Sequence, residues 1–164
     1  MTKVDLSAGY HHVPLRPNQS KYFGFEFEGV VYSWRHLFFG LSPAPWVFTM
    51  ILRDVAKKWR FDGIVLIHYL DDFCIFARSY EECLQQIQRV VADLEALGFV
   101  LNVEKSLLLP VQELEFLGYE VNTVNKPKFT VPPSRIAKLC ADLELLQNAG
   151  TQLVRVRKVA SVAG

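Results

Sequence analysis

Two hydrophobic periods run along the chain, and together they predict a mixture of helices and strands. One helical face is formed by Val47, Ile51, Val55 and Trp59, which recur at helical spacing. Ser42 and the early prolines Pro43 and Pro45 are typical of the start of such a helix. A second helical stripe is formed by Leu84, Ile87, Val91, Leu94 and Leu97. Gly98 then predicts its end.

Short apolar runs rich in β-branched and aromatic residues predict strands around these helices. The runs are residues 3–6, 64–69, 73–77 and 99–103. Residues 22–34 predict an inserted hairpin around Gly29, with Phe23, Phe25 and Phe27 on one face. Without this insertion the order is β-α-β-β-α-β, the split βαβ pattern. We therefore expect an α+β fold with an antiparallel sheet and its helices on one face.

The C-terminal part predicts a different organisation. Residues 116–121 indicate a tight hairpin, and residues 134–148 indicate a helix after Pro132 and Pro133. Residues 154–163 resemble the beginning of another helix. We expect this part to be a helical extension of the main fold.

Composition indicates a globular protein in a reducing compartment. The chain has 164 residues, of which 51% are hydrophobic, and no apolar run approaches the ~18 residues of a membrane span. Its three cysteines lack metal-ligand spacing, which fits free thiols. We expect an intracellular protein, in the cytoplasm or nucleus, that is neither secreted nor bound to a membrane.

Charge is unevenly distributed, although the net charge is only +1. Residues 126–164 hold seven Lys and Arg against two acidic residues. Such a segment could follow a phosphate backbone. Charge alone favours the simpler interpretation, a solvated helix face.

Two adjacent aspartates interrupt the most apolar part of the chain. Asp71 and Asp72 lie between two predicted strands, where burying an ionised carboxylate costs several kcal/mol unless it is paired. In the split βαβ fold the first strand lies beside this hairpin, so Asp5 would join them. Three carboxylates without His or Cys suit Mg²⁺, and two such ions stabilise phosphoryl transfer. The alternative is an ordinary turn, where aspartate is common.

Five segments, in order, resemble the motifs of reverse transcriptases. Residues 69–72 (YLDD) resemble their YxDD motif, and residues 5–10 (DLSAGY) resemble motif A. Motifs B, D and E are resembled by residues 38–48, 97–106 and 116–119. The amino-acid sequences of residues 42–49 and 156–164 are most similar to those of retrotransposons of the tyrosine-recombinase (DIRS-like) class.

This resemblance implies a site for nucleotidyl transfer. Asp5 and Asp71 would bind two Mg²⁺ ions, or Mn²⁺ in their place, with Asp72 assisting and the backbone carbonyl of Leu6 as a further ligand. Tyr10 would lie under the sugar of the incoming nucleotide and exclude a 2′-OH. Core packing is the alternative role of Tyr10.

Further residues take roles from the same resemblance. Phe39 and Gly40 would face the nucleotide and the templating base pair. Lys105 would approach the leaving pyrophosphate, although a solvated lysine is an equally good interpretation. A primer grip would be formed by Leu117, Gly118 and Tyr119.

The resemblance also implies a domain organisation. Residues 1–124 would be the palm of an RNA-directed DNA polymerase, and residues 125–164 the truncated start of a thumb or connection region. Its substrates would be deoxynucleoside triphosphates, with a DNA primer on an RNA or DNA template. We expect the fingers and RNase H regions to be missing parts of a larger polyprotein, which would leave this chain alone inactive. The alternative is an inactive, truncated retroelement remnant or a nucleic-acid-binding module.

Overall fold

The computed structural model describes residues 1–148, and this part of the chain has the expected α+β architecture. The strands are β1 Thr2–Asp5, β2 Gly24–Phe27, β3 Val30–Ser33, β4 Val65–Tyr69, β5 Asp72–Phe76, β6 Glu113–Phe116, β7 Tyr119–Asn122 and β8 Lys128–Thr130. The helices are α1 Pro17–Ser20, α2 Ala44–Phe61, α3 Tyr80–Ala96 and α4 Pro133–Asn148. A 3-10 turn, Gly9–His12, follows β1. None of the helices in this part of the chain is both long enough and apolar enough to span a bilayer.

The chain divides into two compact units, of which the first is Met1–Val111 and the second begins at Gln112. The predicted palm boundary at residue 124 concerns polymerase subdomains and stays a prediction.

The first unit is built on an antiparallel sheet with the strand order β1-β5-β4. Asp5 lies opposite Asp72, and Tyr69 lies opposite Asp72 from the other side. Because side chains alternate between the two faces of a strand, this register places Val4 and Phe73 on one face and Asp5 and Asp72 on the other.

Helices α2 and α3 cover the apolar face of this sheet. Buried side chains of both helices form one core with those of the strands: Val4, Leu66, Phe73, Ile75, Phe48, Leu52, Ala56, Trp59, Ile87, Val90 and Leu94. The Trp59 ring meets Phe73 edge-on at 5.6 Å, and its Nε1–H donates to Asp93 Oδ2 of α3 at 2.8 Å. The prediction that the helices lie on one face is therefore confirmed.

The buried stripe of α2 differs from the predicted one by one position. Phe48, Leu52 and Ala56 are fully buried, whereas Ile51 is exposed and Val55 is half-buried. Both stripes have helical spacing and both include Trp59, so periodicity alone could not choose between them. The observed stripe buries Phe48, which is larger than Val47 of the predicted stripe and fills the space beside Gly9.

The predicted strand at residues 99–103 is not a regular strand. This segment and the residues after it pair with the free edge of β1 at two isolated bridges, Leu6 with Leu101 and Lys3 with Leu107, rather than along a continuous ladder. Single hydrogen bonds from the Ser7 N–H to the Val100 carbonyl and from the Asn102 N–H to the Asp5 carbonyl add to them. Between the two bridges the backbone leaves the edge as a loop, residues 102–106. The sheet proper therefore has three strands.

The inserted hairpin of β2 and β3 is confirmed at residues 24–33. Glu28 and Gly29 both have positive φ, 51° and 75°, as a two-residue hairpin turn requires. Phe25 stacks on Tyr32 at 5.5 Å, and Phe25 also meets Trp34, at 5.4 Å. Much of this aromatic face remains exposed to solvent.

The second unit begins with a three-stranded antiparallel sheet in the order β6-β7-β8. Its first hairpin and helix α4 confirm the predictions for residues 116–121 and 134–148, whereas β8 was not predicted. The helix predicted at residues 154–163 lies outside the described residues.

Replacing Phe73 by alanine should strongly destabilise the first unit. Its ring is fully buried between the sheet and Trp59, so Phe73→Ala should lower the free energy of unfolding by about 3–5 kcal/mol. Urea denaturation measures this. Val65→Ala is the control, because Val65 is 63% exposed, and should change stability by less than about 0.5 kcal/mol. Equal effects of the two substitutions would contradict the assigned core.

Candidate active site

The register of β1 on β5 brings the three predicted carboxylates to one end of the sheet. Asp5 ends β1, and Asp72 begins β5 directly opposite it, so both side chains lie on the face away from the helices. Asp71 is joined to the same place by its backbone, since its carbonyl accepts from the Leu6 N–H at 3.1 Å. This end of the sheet therefore holds Asp5, Leu6, Asp71 and Asp72 together.

The turn that carries Asp71 is strained. Leu70 and Asp71 form the two-residue connection between β4 and β5, and Leu70 has φ 52°. This is the left-handed region, which costs a non-glycine residue on the order of 1 kcal/mol. A positive φ at the first position only is the type II′ geometry, which matches the twist of paired strands. The turn thus holds Asp71 at the tip of the hairpin.

The carboxylates crowd each other electrostatically. Burial, the largest cause, and the charges of Asp5 and Asp71 together raise the pKa of Asp72 to about 6, against a smaller opposing effect of Lys3. Burial, together with the charge of Asp71, also raises the pKa of Tyr10. At neutral pH this end of the sheet carries more negative charge than its own surroundings stabilise.

The donor chemistry of these residues fits a hard divalent cation, although the geometry does not form a finished metal site. Within residues 1–148, the His, Cys, Asp and Glu side chains form no group of three that is arranged to hold a metal ion. Carboxylate oxygens are ligands that Mg²⁺ prefers. A bound cation would offset the repulsion among these carboxylates, which adds to the effect of burial on the pKa of Asp72.

Tyr10 lies in the 3-10 turn beside the carboxylates and packs between two rings. Its ring centroid is 5.0 Å from that of Phe39 and 5.5 Å from that of Phe48. Gly9 permits this approach, because a Cβ there would lie 2.7 Å from Phe48 Cζ and 3.4 Å from Asp71 Cβ. Tyr10 is half-buried, so it both packs on the core and faces the site.

Phe39 and Gly40 lie in the connection before α2. Phe39 is 71% exposed and touches Tyr10 and His11. Gly40 has φ 93°, a conformation that favours glycine. The structure thus brings Tyr10 and Phe39 together, and the positive φ of residue 40 explains why a glycine stands there.

The remaining predicted site residues lie in two places. Lys105 is exposed in the loop of residues 102–106, beside the β1 edge. Leu117 and Gly118 form the β6–β7 turn of the second unit, with φ 50° and 76°, and Tyr119 is the first residue of β7. The Gly118 carbonyl accepts from Arg135 Nη1 at 3.0 Å.

Sequence reasoning missed the role of His12. Its Nε2 accepts from the Val100 N–H at 3.0 Å, which assigns the ring proton to Nδ1, 3.1 Å from the Gly9 carbonyl oxygen. The ring therefore ties the turn that carries Tyr10 to the segment after α3. The sequence offers only a His11–His12 doublet as a signal, which does not indicate a backbone partner so distant in sequence.

Comparison with known proteins identifies the family. Residues 1–121 match the family described as reverse transcriptase (RNA-dependent DNA polymerase), and the chain belongs to this family. It is 31% identical over 120 residues to the retrovirus-related Pol polyprotein from transposon opus of Drosophila melanogaster, covering 73% of this chain and 12% of the polyprotein.

Solved structures agree on the fold. The foamy viral protease-reverse transcriptase in complex with dsDNA matches with a TM-score of 0.76 at 23% identity, over 99% of this chain and 31% of that one. The same viral protein in complex with an RNA/DNA hybrid matches with a TM-score of 0.76 at 24% identity, over 99% of this chain and 20% of that one. The chain thus spans less than a third of the length of each of these relatives.

Replacing Asp72 by asparagine should stabilise the metal-free protein at neutral pH. The unfolded chain ionises this group near pH 3.8 and the folded chain near 6, so the folded state binds more protons between these values. Stability should therefore fall as pH rises through this window. In EDTA at pH 7, Asp72→Asn should gain on the order of 1 kcal/mol, reduced by solvent screening.

The measurement is thermal or urea unfolding of both proteins from pH 4 to pH 7. The gain should vanish near pH 4, where Asp72 itself is neutral. Asp54→Asn removes a carboxylate from the surface of α2 and is the control, expected to show no pH-dependent gain. An Asp72→Asn effect that is the same at both ends of the range would show that the carboxylates do not repel as described.

Proposed function

We propose that this chain forms the palm of an RNA-directed DNA polymerase, which adds deoxynucleotides to the 3′ end of a primer. The observation that carries the proposal is the meeting of Asp5, Asp71 and Asp72 at one end of the β1-β5-β4 sheet. Membership of the reverse transcriptase family supports this reaction over other uses of a carboxylate cluster.

Asp5 and Asp71 are the proposed ligands of two Mg²⁺ ions, with Asp72 and the Leu6 carbonyl assisting. When bound, such ions activate the attacking oxygen and neutralise charge on the phosphates. The protein's part is to hold the two carboxylates at a fixed spacing. The bond from the Leu6 N–H to the Asp71 carbonyl does this across the strand ends.

The ring pair of Tyr10 and Phe39 is the proposed floor for the nucleotide. Tyr10 would lie under the sugar, where its ring leaves no room for a 2′-OH, and the Phe48 and Phe39 rings prevent it from moving aside. Phe39 and Gly40 would face the templating base pair. Lys105 would place its charge near the leaving pyrophosphate.

A primer paired with an RNA or DNA template is the proposed partner. The foamy viral relatives were solved with dsDNA and with an RNA/DNA hybrid, which supports this choice. Leu117, Gly118 and Tyr119 would grip the primer. The proposed location is intracellular, in the cytoplasm or nucleus. The fingers and RNase H functions would come from other parts of a Pol polyprotein. We also propose that the chain comes from a DIRS-like element, on the amino-acid sequence of residues 42–49. Residues 156–164, the other segment behind this assignment, lie outside the residues that the structure describes.

One observation favours a second candidate, an inactive nucleic-acid-binding module. Within residues 1–148 the carboxylates are not arranged as a finished metal site. Metal binding must therefore rearrange Asp5, Asp71 and Asp72, and a chain unable to do so would bind nucleic acid without turnover.

Replacing Asp71 by asparagine separates these candidates. We propose joining residues 1–164 to the fingers and thumb segments of a related Pol polyprotein and measuring extension of a DNA primer on an RNA template. Extension should require Mg²⁺ or Mn²⁺, and Asp71→Asn should lower its rate by roughly a hundredfold or more, because a ligand charge is lost. Asp54→Asn is the control and should leave the rate unchanged. Extension that survives Asp71→Asn would contradict the proposed site, and nucleic-acid binding without extension would favour the second candidate.

Replacing Tyr10 by alanine tests the sugar contact in the same joined protein. Removing the ring should let ribonucleotides in, so the preference for deoxynucleotides should fall by roughly tenfold or more. Tyr10→Phe keeps the ring and removes only the hydroxyl, so it should keep the preference. The readout is the ratio of kcat/KM for matched deoxy- and ribonucleotides. Unchanged discrimination in Tyr10→Ala would exclude this role.

A further inference from the structure

The backbone of Asp5 is held on both sides by one loop, residues 102–106. The Asp5 carbonyl accepts from the Asn102 N–H at 2.8 Å. The Asp5 N–H donates to Ser106 Oγ at 3.0 Å, a bond between residues 101 positions apart. Asp5 thus has its two outward backbone groups bonded to the two ends of the same short loop.

The loop itself is closed independently of Asp5. The Ser106 N–H donates to the Asn102 carbonyl at 2.9 Å, and the Lys105 N–H lies 3.3 Å from Asn102 Oδ1. These bonds fix the backbone of Lys105, the residue that directly precedes Ser106. The loop therefore connects a proposed metal ligand with the proposed pyrophosphate-facing lysine.

The hydroxyl of Ser106 takes the place of a backbone carbonyl as hydrogen-bond acceptor at the edge of β1. On either side of Asp5 the chain makes ordinary backbone bonds to the same segment: the Lys3 N–H to the Leu107 carbonyl at 3.0 Å, and the Ser7 N–H to the Val100 carbonyl at 2.8 Å. Only at Asp5 does a side chain provide the acceptor for the strand's N–H. Because a side chain accepts this bond, the backbone of residues 102–106 can bulge away from β1 with Lys105. The N–H and carbonyl of Asp5 nevertheless both keep hydrogen-bond partners.

We propose that Ser106 is a positioning residue of the active site, which fixes the backbone of Asp5 and, through the same loop, the place of Lys105. The inference rests on the proposed function, because it assigns Asp5 as a metal ligand. A residue that orients a ligand without touching the metal changes metal affinity when it is replaced. A purely structural serine would change stability and leave metal affinity alone.

The first measurement is amide hydrogen exchange of the metal-free chain, which does not depend on any activity. Ser106→Ala should speed exchange of the Asp5 amide by several-fold to roughly tenfold, the effect of losing one hydrogen bond of ordinary net strength. The amides of Lys3 and Ser7 should keep their protection, because their acceptors are backbone carbonyls. Unchanged exchange at Asp5 would overturn the proposal.

The second measurement is calorimetric titration with Mn²⁺. Ser106→Ala should weaken Mn²⁺ binding by about tenfold, whereas Ser106→Thr, which keeps a hydroxyl, should restore both the affinity and the Asp5 protection. Ser33→Ala, an exposed serine of β3, is the control and should change neither. Faster exchange with unchanged Mn²⁺ affinity would also overturn the positioning role.

The two measurements separate this inference from the proposed function. An unaltered chain that does not bind Mn²⁺ would count against the proposed metal site, while the exchange of the Asp5 amide would still decide whether Ser106 holds Asp5. If Ser106→Ala does not fold, Ser106→Cys gives the same test, because it keeps the side-chain size and accepts hydrogen bonds only weakly.

Discussion

The register of β1 on β5 is the constraint on which the rest of the first unit depends. Side chains alternate along a strand, so slipping this pairing by one residue would move Val4 out of the core and Asp5 into it. Burial of Val4 and Phe73 against α2 and α3 therefore specifies the position of Asp5 opposite Asp72. The apolar core and the carboxylate cluster lie on opposite faces of the same strand pair, so one register determines the position of both.

The carboxylate end of the sheet is held in place by bonds that do not involve its carboxylates. The Leu6 N–H fixes Asp71, the His12 ring fixes the turn of Tyr10, and the loop of Asn102 and Ser106 fixes Asp5. Such a scaffold lets charged oxygens stay close although they repel one another. The raised pKa of Asp72 is the cost of this arrangement in the absence of a cation.

Much of this could be read from the sequence, because the signals were local. The Asp71–Asp72 pair between apolar runs predicted a hairpin with a polar tip, and helical spacing predicted α2 and α3 within a few residues. The buried face of α2 was misassigned because Ile51 and Leu52 are equally apolar. The strand predicted at residues 99–103 failed because nothing in its composition shows that Asn102 to Ser106 loop away from β1. The roles of His12 and Ser106 depend on partners 88 and 101 positions away, which no local pattern encodes.

The β2–β3 hairpin differs in kind from the sheet beside it. It is a two-stranded ribbon, and such ribbons are marginally stable without a covered face. Ring contacts join it to neighbouring residues of the unit: Phe25 meets Trp34, and Trp34 stacks on Phe38 at 5.0 Å and on His11 at 5.9 Å. Local opening of this ribbon would cost little free energy compared with unfolding the core. The chain thus combines a hydrogen-bonded scaffold around the carboxylates with an exposed aromatic ribbon that opens at low cost. In dilute buffer this ribbon would govern the solubility of the chain and its first sites of protease cleavage.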